Sequence, residues 1–154
     1  MSNIEYFKPT VKDIDHMQLL VHQEVINGNI LDRSAHEMAA TIRSYIVAKL
    51  DDDIVGFVAL HIHTQDLAEI RSLIVSEKYR KQNIAKELIK KAIKEGKELG
   101  LNKLLVLTYK RELFESFGFV EISKESIPET KIWADCIKCK HFPICNEISL
   151  TLDI

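Results

Sequence analysis

The sequence contains no apolar run long enough to span a bilayer. Its first residues, from Met1 to Glu5, lack the basic region and apolar stretch of a secretory signal, so we expect a cytoplasmic protein with no membrane partner. Only three cysteines are present, and an odd number in a reducing compartment argues against a disulfide framework. A strong charge of one sign is also missing. The formal net charge of -2 excludes a global positive field that would hold nucleic acid.

Repeats, low-complexity segments and linkers are absent too, and the composition is that of one folded domain. The 154 residues are 46% hydrophobic and 29% charged, which is typical of globular proteins. A chain of this length buries about 68–70% of its unfolded surface, enough for one core. We therefore expect a single domain over residues 1–154, with a cysteine-containing loop near residues 131–147. The oligomeric state is left open, and a homodimer is compatible with the sequence.

Hydrophobic periodicity predicts a chain of strands and helices in mixed order. The predicted strands cover residues 4–8, 45–50, 54–63, 67–75, 103–108, 119–122 and 147–152. The predicted helices begin near Ile14, Ser34, Ile84 and Glu112. The second helix opens on a capping-box spacing and is expected to carry Met38 and Ile42. This order implies an α/β (α+β) mixed sheet with helices on both faces and a right-handed parallel crossover.

One loop, between the strand 67–75 and the helix at Ile84, combines the features of a phosphate site. A helix N-terminus offers unpaired amides and a partial positive charge. Asn83 can take the left-handed backbone conformation that a phosphate-cradling loop needs, and Ala85 is small enough for close backbone approach. An ordinary strand-to-helix turn with solvated lysines is the alternative. The cations around the loop are Arg80, Lys81 and Lys86.

This loop resembles the pyrophosphate-binding motif of the GNAT N-acetyltransferase superfamily, written Arg/Gln-x-x-Gly-x-Gly/Ala. The matching residues are Arg80, Lys81, Gln82, Asn83, Ile84 and Ala85, with asparagine where glycine is usual. Residues 113–119, Leu-Phe-Glu-Ser-Phe-Gly-Phe, are similar to the second signature of the superfamily, and residues 10–25 to its opening strand and helix. The resemblance implies a GNAT-like twisted sheet, splayed in the middle, and acetyl-CoA as co-substrate.

A narrower likeness connects the chain to the short bacterial N-acetylglutamate synthases, which consist of the acetyltransferase domain alone. It rests on residues 30–34, 107–109, 114–119, 127–128 and 131–147. It implies an enzyme that acetylates the α-amine of an amino acid, with glutamate as the substrate, in arginine biosynthesis. Two alternatives stay open. One is an N-acetyltransferase for another amino acid, a polyamine or a protein N-terminus, and the other is a non-catalytic acyl-CoA-binding module.

The resemblance also implies which residues hold the coenzyme. Backbone groups of Leu73 and Val75 would pair with the pantetheine arm, and the amide of Ile74 would polarise the thioester carbonyl. With the phosphate loop they form the predicted coenzyme-binding set: Leu73, Ile74, Val75, Arg80, Lys81, Gln82, Asn83, Ile84, Ala85 and Lys86.

Acetyl transfer needs a neutral amine and a proton for the departing thiolate. An α-amine with a pKa of about 8 is only roughly one-tenth neutral at pH 7, so a base helps. Glu69, early in the coenzyme-facing strand, is the candidate base, acting through water; a solvent-facing carboxylate is the alternative. The superfamily's tyrosine acid is replaced by Phe114. Tyr109 is therefore the candidate acid, with water as the simpler donor and a packing role as the favoured alternative for Tyr109.

Arginine suits a carboxylate substrate because it binds both oxygens at once. Arg33 and Arg71 are the candidates, and a solvated surface charge is the alternative for either. His61 and His63 share one face of a strand and lack an evident third metal ligand. We interpret them as polar residues near the substrate cleft.

The cysteine-rich segment has the ligand types of a zinc site but an unfavourable spacing. Its residues are Cys136, Cys139, His141 and Cys145. The compressed second pair leaves little chain to close a tetrahedron. Free thiols in a packed loop are favoured, with zinc as the alternative.

Overall fold

The computed structural model describes residues 3–26, 34–79, 82–123, 126 and 148–154. Within these residues the strands are β1 (Ile4–Phe7), β2 (Tyr45–Leu50), β3 (Asp53–Ile62), β4 (Leu67–Val75), β5 (Lys103–Thr108), β6 (Val120–Ile122) and β7 (Ile148–Asp153). The α-helices are α1 (Ile14–Ile26), α2 (Ala35–Ala40), α3 (Ile84–Glu98) and α4 (Arg111–Glu115). No helix in these ranges is long and apolar enough to cross a membrane.

The strands form one open sheet in the order β1-β2-β3-β4-β5-β7-β6. Neighbours are antiparallel except for β4 and β5, which run parallel. A parallel pair needs a crossover connection, and α3 supplies it. The predicted mixed α/β sheet is therefore confirmed, and among the described strands β4 and β5 form its one parallel pair.

Helices cover both faces of this sheet, as predicted. Side chains alternate between the faces of each strand, so every buried strand feeds both layers. On one face α3 and α4 pack against Ile46, Val58, Leu60, Ile70, Val75, Leu104, Val106 and Leu150. On the other face α1 and α2 pack against Tyr45, Val47, Phe57, Ala59 and Ile74. The two layers are called the α3 face and the α1 face below.

Helix α2 is shorter than predicted. Ser34 opens it as expected, because its Oγ accepts a hydrogen bond from the amide of Glu37 at 3.1 Å. Ile42, however, lies outside the helix, in a separate 3-10 turn. Thr41 ends α2: its hydroxyl donates to the carbonyl of Glu37 at 2.9 Å, and its φ of -116° leaves the helical region. This local side-chain bond competes with continuation of the helix.

Candidate active site

The middle of the sheet is open at one end. β4 and β5 pair only from Leu67 to Glu69 and from Lys103 to Leu105. Both strands continue beyond that point, to Val75 and Thr108, without pairing further in the described part of the chain. The predicted splay is therefore confirmed. It opens at the carboxyl ends of two parallel strands, which is where open α/β sheets bind ligands.

A bulge redirects β4 inside the splay. Ala59 pairs with Arg71, whereas Phe57 pairs with Ile74, so β4 carries one extra residue against β3. Ser72 adopts a φ of 58°, which is unusual for a residue with a Cβ. An extra residue bends the strand and re-aims its side chains. As a result Leu73 and Val75 pack towards the α3 face while Ile74 packs towards the α1 face.

Helix α3 begins just beyond the open end of β4. Asn83 precedes it with φ 61° and ψ 18°, which confirms the predicted left-handed conformation. Its side chain makes no capping hydrogen bond. The amides of Ile84, Ala85 and Lys86 lie in the first turn, where helix geometry supplies no carbonyl partner. The arrangement fits a pyrophosphate at the helix N-terminus and a pantetheine arm along the splay.

Gly56 brings that helix end close to the strands. A Cβ on Gly56 would lie 3.0 Å from the carbonyl oxygen of Ile74 and 3.2 Å from Cγ2 of Ile84. The missing side chain therefore lets the first turn of α3 sit against the sheet where β4 ends. The sequence reasoning overlooked this contact.

Glu69 is buried on the α1 face, at the last residue pair before the splay. Its neighbours Ala68 and Ile70 point to the α3 face, so Glu69 and Arg71 point the other way. The Glu69 side chain is 2% exposed, which rules out the solvent-facing alternative. Nε2 of His63 lies 2.8 Å from Oε1 of Glu69, and the His63 side chain is 3% exposed.

Arg71 stands next to Glu69 on the same face and is half-buried. Its NH2 lies 3.0 Å from Nδ1 of His61. The rings of His61 and His63 meet edge to face, with centroids 4.8 Å apart. The α1 face therefore holds a row of Glu69, Arg71, His61 and His63, which we call the polar row. The sequence predicted that the two histidines share one face of a strand, but it did not predict their pairing with Glu69 and Arg71.

The remaining candidates differ in how well they are placed. Tyr109 follows β5 at the open end of the splay and is 49% exposed. Phe114 is 1% exposed and stacks edge to face on Phe119, so it belongs to the core. The following candidates lie outside the described residues: Arg33, Arg80, Lys81, Cys136, Cys139, His141 and Cys145. Where the structure is described, no group of three or more potential metal ligands occurs.

Sequence comparisons place the chain in a family of enzymes. The model for the acetyltransferase (GNAT) family matches residues 15–119. An uncharacterized N-acetyltransferase of Chlorobaculum tepidum is 38% identical over 123 residues, which cover 80% of this chain and 79% of that protein. The amino-acid acetyltransferase of Aeromonas salmonicida is 26% identical over 77% of this chain. The chain spans only 27% of that protein's length.

Solved structures share the fold over nearly the whole chain. N-acetylglutamate synthase from Neisseria gonorrhoeae, complexed with coenzyme A and N-acetyl-glutamate, has a TM-score of 0.86 at 22% identity. The match covers 99% of this chain and 35% of the synthase. Rv2747 from Mycobacterium tuberculosis, in complex with CoA, has a TM-score of 0.84 at 20% identity, with 97% and 99% covered. Since the family match spans more than half of the sequence, the chain belongs to the acetyltransferase (GNAT) family and is an acyltransferase that uses acetyl-CoA.

Proposed function

We propose that the enzyme acetylates the α-amine of an amino acid, and that the acceptor is glutamate or a close relative such as glutamine. One observation carries the proposal. A buried carboxylate, Glu69, and a half-buried guanidinium, Arg71, stand side by side where β4 leaves β5. An amino acid acceptor needs both groups, a base for its amine and a cation for its carboxylate.

The names of similar proteins support this substrate class. Relatives from Aeromonas salmonicida and Mannheimia succiniciproducens are named amino-acid acetyltransferases. The Neisseria synthase that shares the fold was solved with N-acetyl-glutamate. We propose further that residues 1–154 form a single acetyltransferase domain, that the protein is cytoplasmic, and that it serves arginine biosynthesis. A homodimer is compatible with this proposal.

In the proposed reaction, the amine nitrogen attacks the thioester carbonyl carbon. The C–N bond forms, the C–S bond breaks, and the products are an N-acetyl amino acid and free coenzyme A. Glu69 takes the amine proton through a water molecule. Backbone groups of Leu73, Ile74 and Val75 bind the coenzyme arm and the carbonyl oxygen, where donors aimed at developing charge lower the barrier. The thiolate is protonated by Tyr109 or by water.

Carboxylate recognition is assigned to arginine. Arg71 binds the α-carboxylate of the acceptor, and Arg33 is proposed for the second carboxylate of glutamate. Gln82, Asn83, Ile84, Ala85 and Lys86, with Arg80 and Lys81, are proposed to hold the pyrophosphate. Charge-assisted bonds of arginine to a carboxylate contribute about 1.5–3 kcal/mol each.

The test is a panel of acceptors read by release of the coenzyme thiol. It contains glutamate, glutamine, other amino acids, a polyamine and a peptide with a free N-terminus. Turnover that is highest with glutamate or glutamine, and that falls about ten- to hundredfold in kcat/KM in Arg71→Ala, supports the proposal. Lys97→Ala is the control, because Lys97 is an exposed cation in the last turn of α3. Turnover of the polyamine or peptide alone would refute the substrate while leaving the coenzyme chemistry intact.

A further inference from the structure

The polar row contains two hydrogen bonds whose donors can be assigned from chemistry. Arg71 can only donate, because a guanidinium has no acceptor atom. The atom that receives its hydrogen bond, Nδ1 of His61, must therefore carry a lone pair. A histidine with a lone pair on Nδ1 is neutral and bears its proton on Nε2. The contact with Arg71 thus selects one protonation state of His61.

The second hydrogen bond has the opposite sense. An ionised carboxylate only accepts, so Nε2 of His63 must be the donor to Glu69. Both side chains are nearly sealed from water, at 3% and 2% exposure. Burying an ionised carboxylate is costly unless donors stabilise it. His63 therefore supplies stabilisation of the Glu69 anion that bulk solvent cannot replace.

The two contacts follow the same diagonal of the β3–β4 hairpin. His61 lies opposite Glu69 in the register, and the amide of His63 donates to the carbonyl of Leu67 at 2.9 Å. Each histidine side chain therefore contacts the residue two positions after its cross-strand neighbour: His61 contacts Arg71, and His63 contacts Glu69. Long side chains can span this diagonal distance. The edge-to-face contact of the rings packs the two histidines against each other.

We propose that His63 and His61 are positioning residues for the acetyl transfer, His63 for Glu69 and His61 for Arg71. This inference rests on the proposed roles of Glu69 as base and Arg71 as carboxylate clamp. His63 stabilises the charged form of Glu69 and fixes the orientation of its carboxylate. Loss of His63 should therefore weaken the base at neutral pH. His61 holds the guanidinium in place for the acceptor carboxylate, so its loss weakens acceptor binding.

In the described part of the chain, hydrophobic residues of α1 and α2 cover this face of the sheet. The α1 and α2 side chains that face the sheet here are apolar, namely Ile14, Met17, Val21 and Met38. The histidines of these helices whose surroundings are described, His16, His22 and His36, are exposed. Among the described residues, His61, His63 and Arg71 lie with Glu69 on this face of the β3–β4 hairpin, and the titratable Tyr45, 2% exposed, lies on the same face of β2.

The experiment exchanges each histidine for both amide residues. The amide of asparagine occupies the place of the Nδ1 edge of a histidine, and that of glutamine reaches the place of Nε2. His63→Gln should therefore retain the hydrogen bond to Glu69, and His63→Asn should lose it. At position 61 the order reverses, because Nδ1 is the atom in use: His61→Asn should retain the contact with Arg71, and His61→Gln should lose it.

The two positions should also differ in what they change. His63→Asn should lower kcat/KM about tenfold at pH 7, with recovery at higher pH, where the acceptor amine loses its proton unaided. His61→Gln should raise KM for the amino acid about tenfold and leave kcat and the pH profile unchanged. His63→Gln and His61→Asn should stay within about threefold of the parent enzyme.

Equal losses for both amides at a position, or a loss in His63→Asn that is the same at every pH, would overturn the inference. Nitrogen NMR of the ring atoms gives a readout independent of turnover: His61 should be the neutral Nε2–H tautomer at pH 7. A proton on Nδ1 of His61 would refute its role. If instead Glu69→Gln and Arg71→Ala leave turnover unchanged, the proposed function fails first, whatever the histidine variants show.

Discussion

At the scale of single residues, Glu69 is where burial and charge oppose each other. Its side chain is 2% exposed, and it keeps a donor at 2.8 Å. Glu69→Gln should preserve that contact, because the amide oxygen can still accept from His63, while removing the base. General bases contribute 10²- to 10⁴-fold, so we expect a loss of about 100-fold in kcat/KM at pH 7.

The pH dependence of Glu69→Gln separates lost catalysis from lost folding. A free α-amine has a pKa of about 8, so raising the pH supplies neutral amine without a base. The deficit should therefore shrink as the pH rises towards 9. Glu121→Gln is the matched control, since Glu121 is an exposed carboxylate that pairs with Arg111. A deficit of constant size from pH 6 to 9 would argue against Glu69 as the base.

The phosphate loop allows a second test at this scale. Asn83 adopts a left-handed backbone conformation that is strained for asparagine but not for glycine. Ala85 is small enough to let the pyrophosphate approach the backbone closely. Ala85→Val should raise the dissociation constant of acetyl-CoA about tenfold or more, which is about 1.4 kcal/mol. Asn83→Gly should bind as well as the parent or better. Titration calorimetry measures both, and unchanged affinity in Ala85→Val would place the pyrophosphate elsewhere.

At the scale of elements, periodicity and turn chemistry were sufficient to predict every strand that the structure describes. The predicted strand 67–75, for example, coincides with β4. Helix ends were less predictable. Ile42 leaves α2 because the hydroxyl of Thr41 competes for a backbone carbonyl, a contact that apolar spacing does not reveal.

The bulge in β4 lay beyond sequence reasoning for a physical reason. The left-handed position is occupied by Ser72. A glycine there would have indicated a positive φ in the sequence, whereas a serine does not. The pairing of His63 with Glu69 was more accessible. The two residues flank a short hairpin connection, and a register drawn from that connection would have placed them on one diagonal.

The contact between β3 and α3 can be tested through Gly56. An added Cβ must push against a backbone oxygen at 3.0 Å and a core side chain at 3.2 Å. Gly56→Ala should therefore cost about 1–3 kcal/mol of unfolding free energy. It should also weaken acetyl-CoA binding, because the first turn of α3 is displaced.

Gly96→Ala is the matched control near the other end of the same helix. There the added Cβ would meet the side-chain tip of Ile154 at 3.1 Å, and alanine favours the helix by about 1 kcal/mol. Denaturant unfolding and coenzyme titration give the two readouts. Equal losses of coenzyme affinity in both variants would mean that the β3–α3 contact does not set the binding site.

At the scale of the whole molecule, the splay between β4 and β5 is closed at one end and open at the other. The closed end is set by the pairing of Leu67 to Glu69 with β5, and the polar row begins where that pairing stops. Glu69 and Arg71 lie two residues apart on β4, His61 and His63 reach them from the end of β3, and the phosphate loop follows β4 at the open end. Sequence motifs predicted the segments, but only the register of the strands brings their side chains together.

Acetyl-CoA bound in this splay should protect a defined set of backbone amides from hydrogen exchange. The coenzyme arm would lie along β4 beyond Glu69, and the pyrophosphate would take up the first amides of α3. Hydrogen exchange should therefore slow on binding at Leu73 to Val75 and at Ile84 to Lys86. It should not change at Leu67 and Ala68, which already pair with β5 in the free protein.

Coenzyme A lacking the acetyl group should give the same pattern, because the arm and the pyrophosphate are common to both. Mass spectrometry of proteolytic fragments resolves these segments. Protection on coenzyme binding that spares both β4 beyond Glu69 and the first turn of α3 would show that the splay is not the coenzyme site.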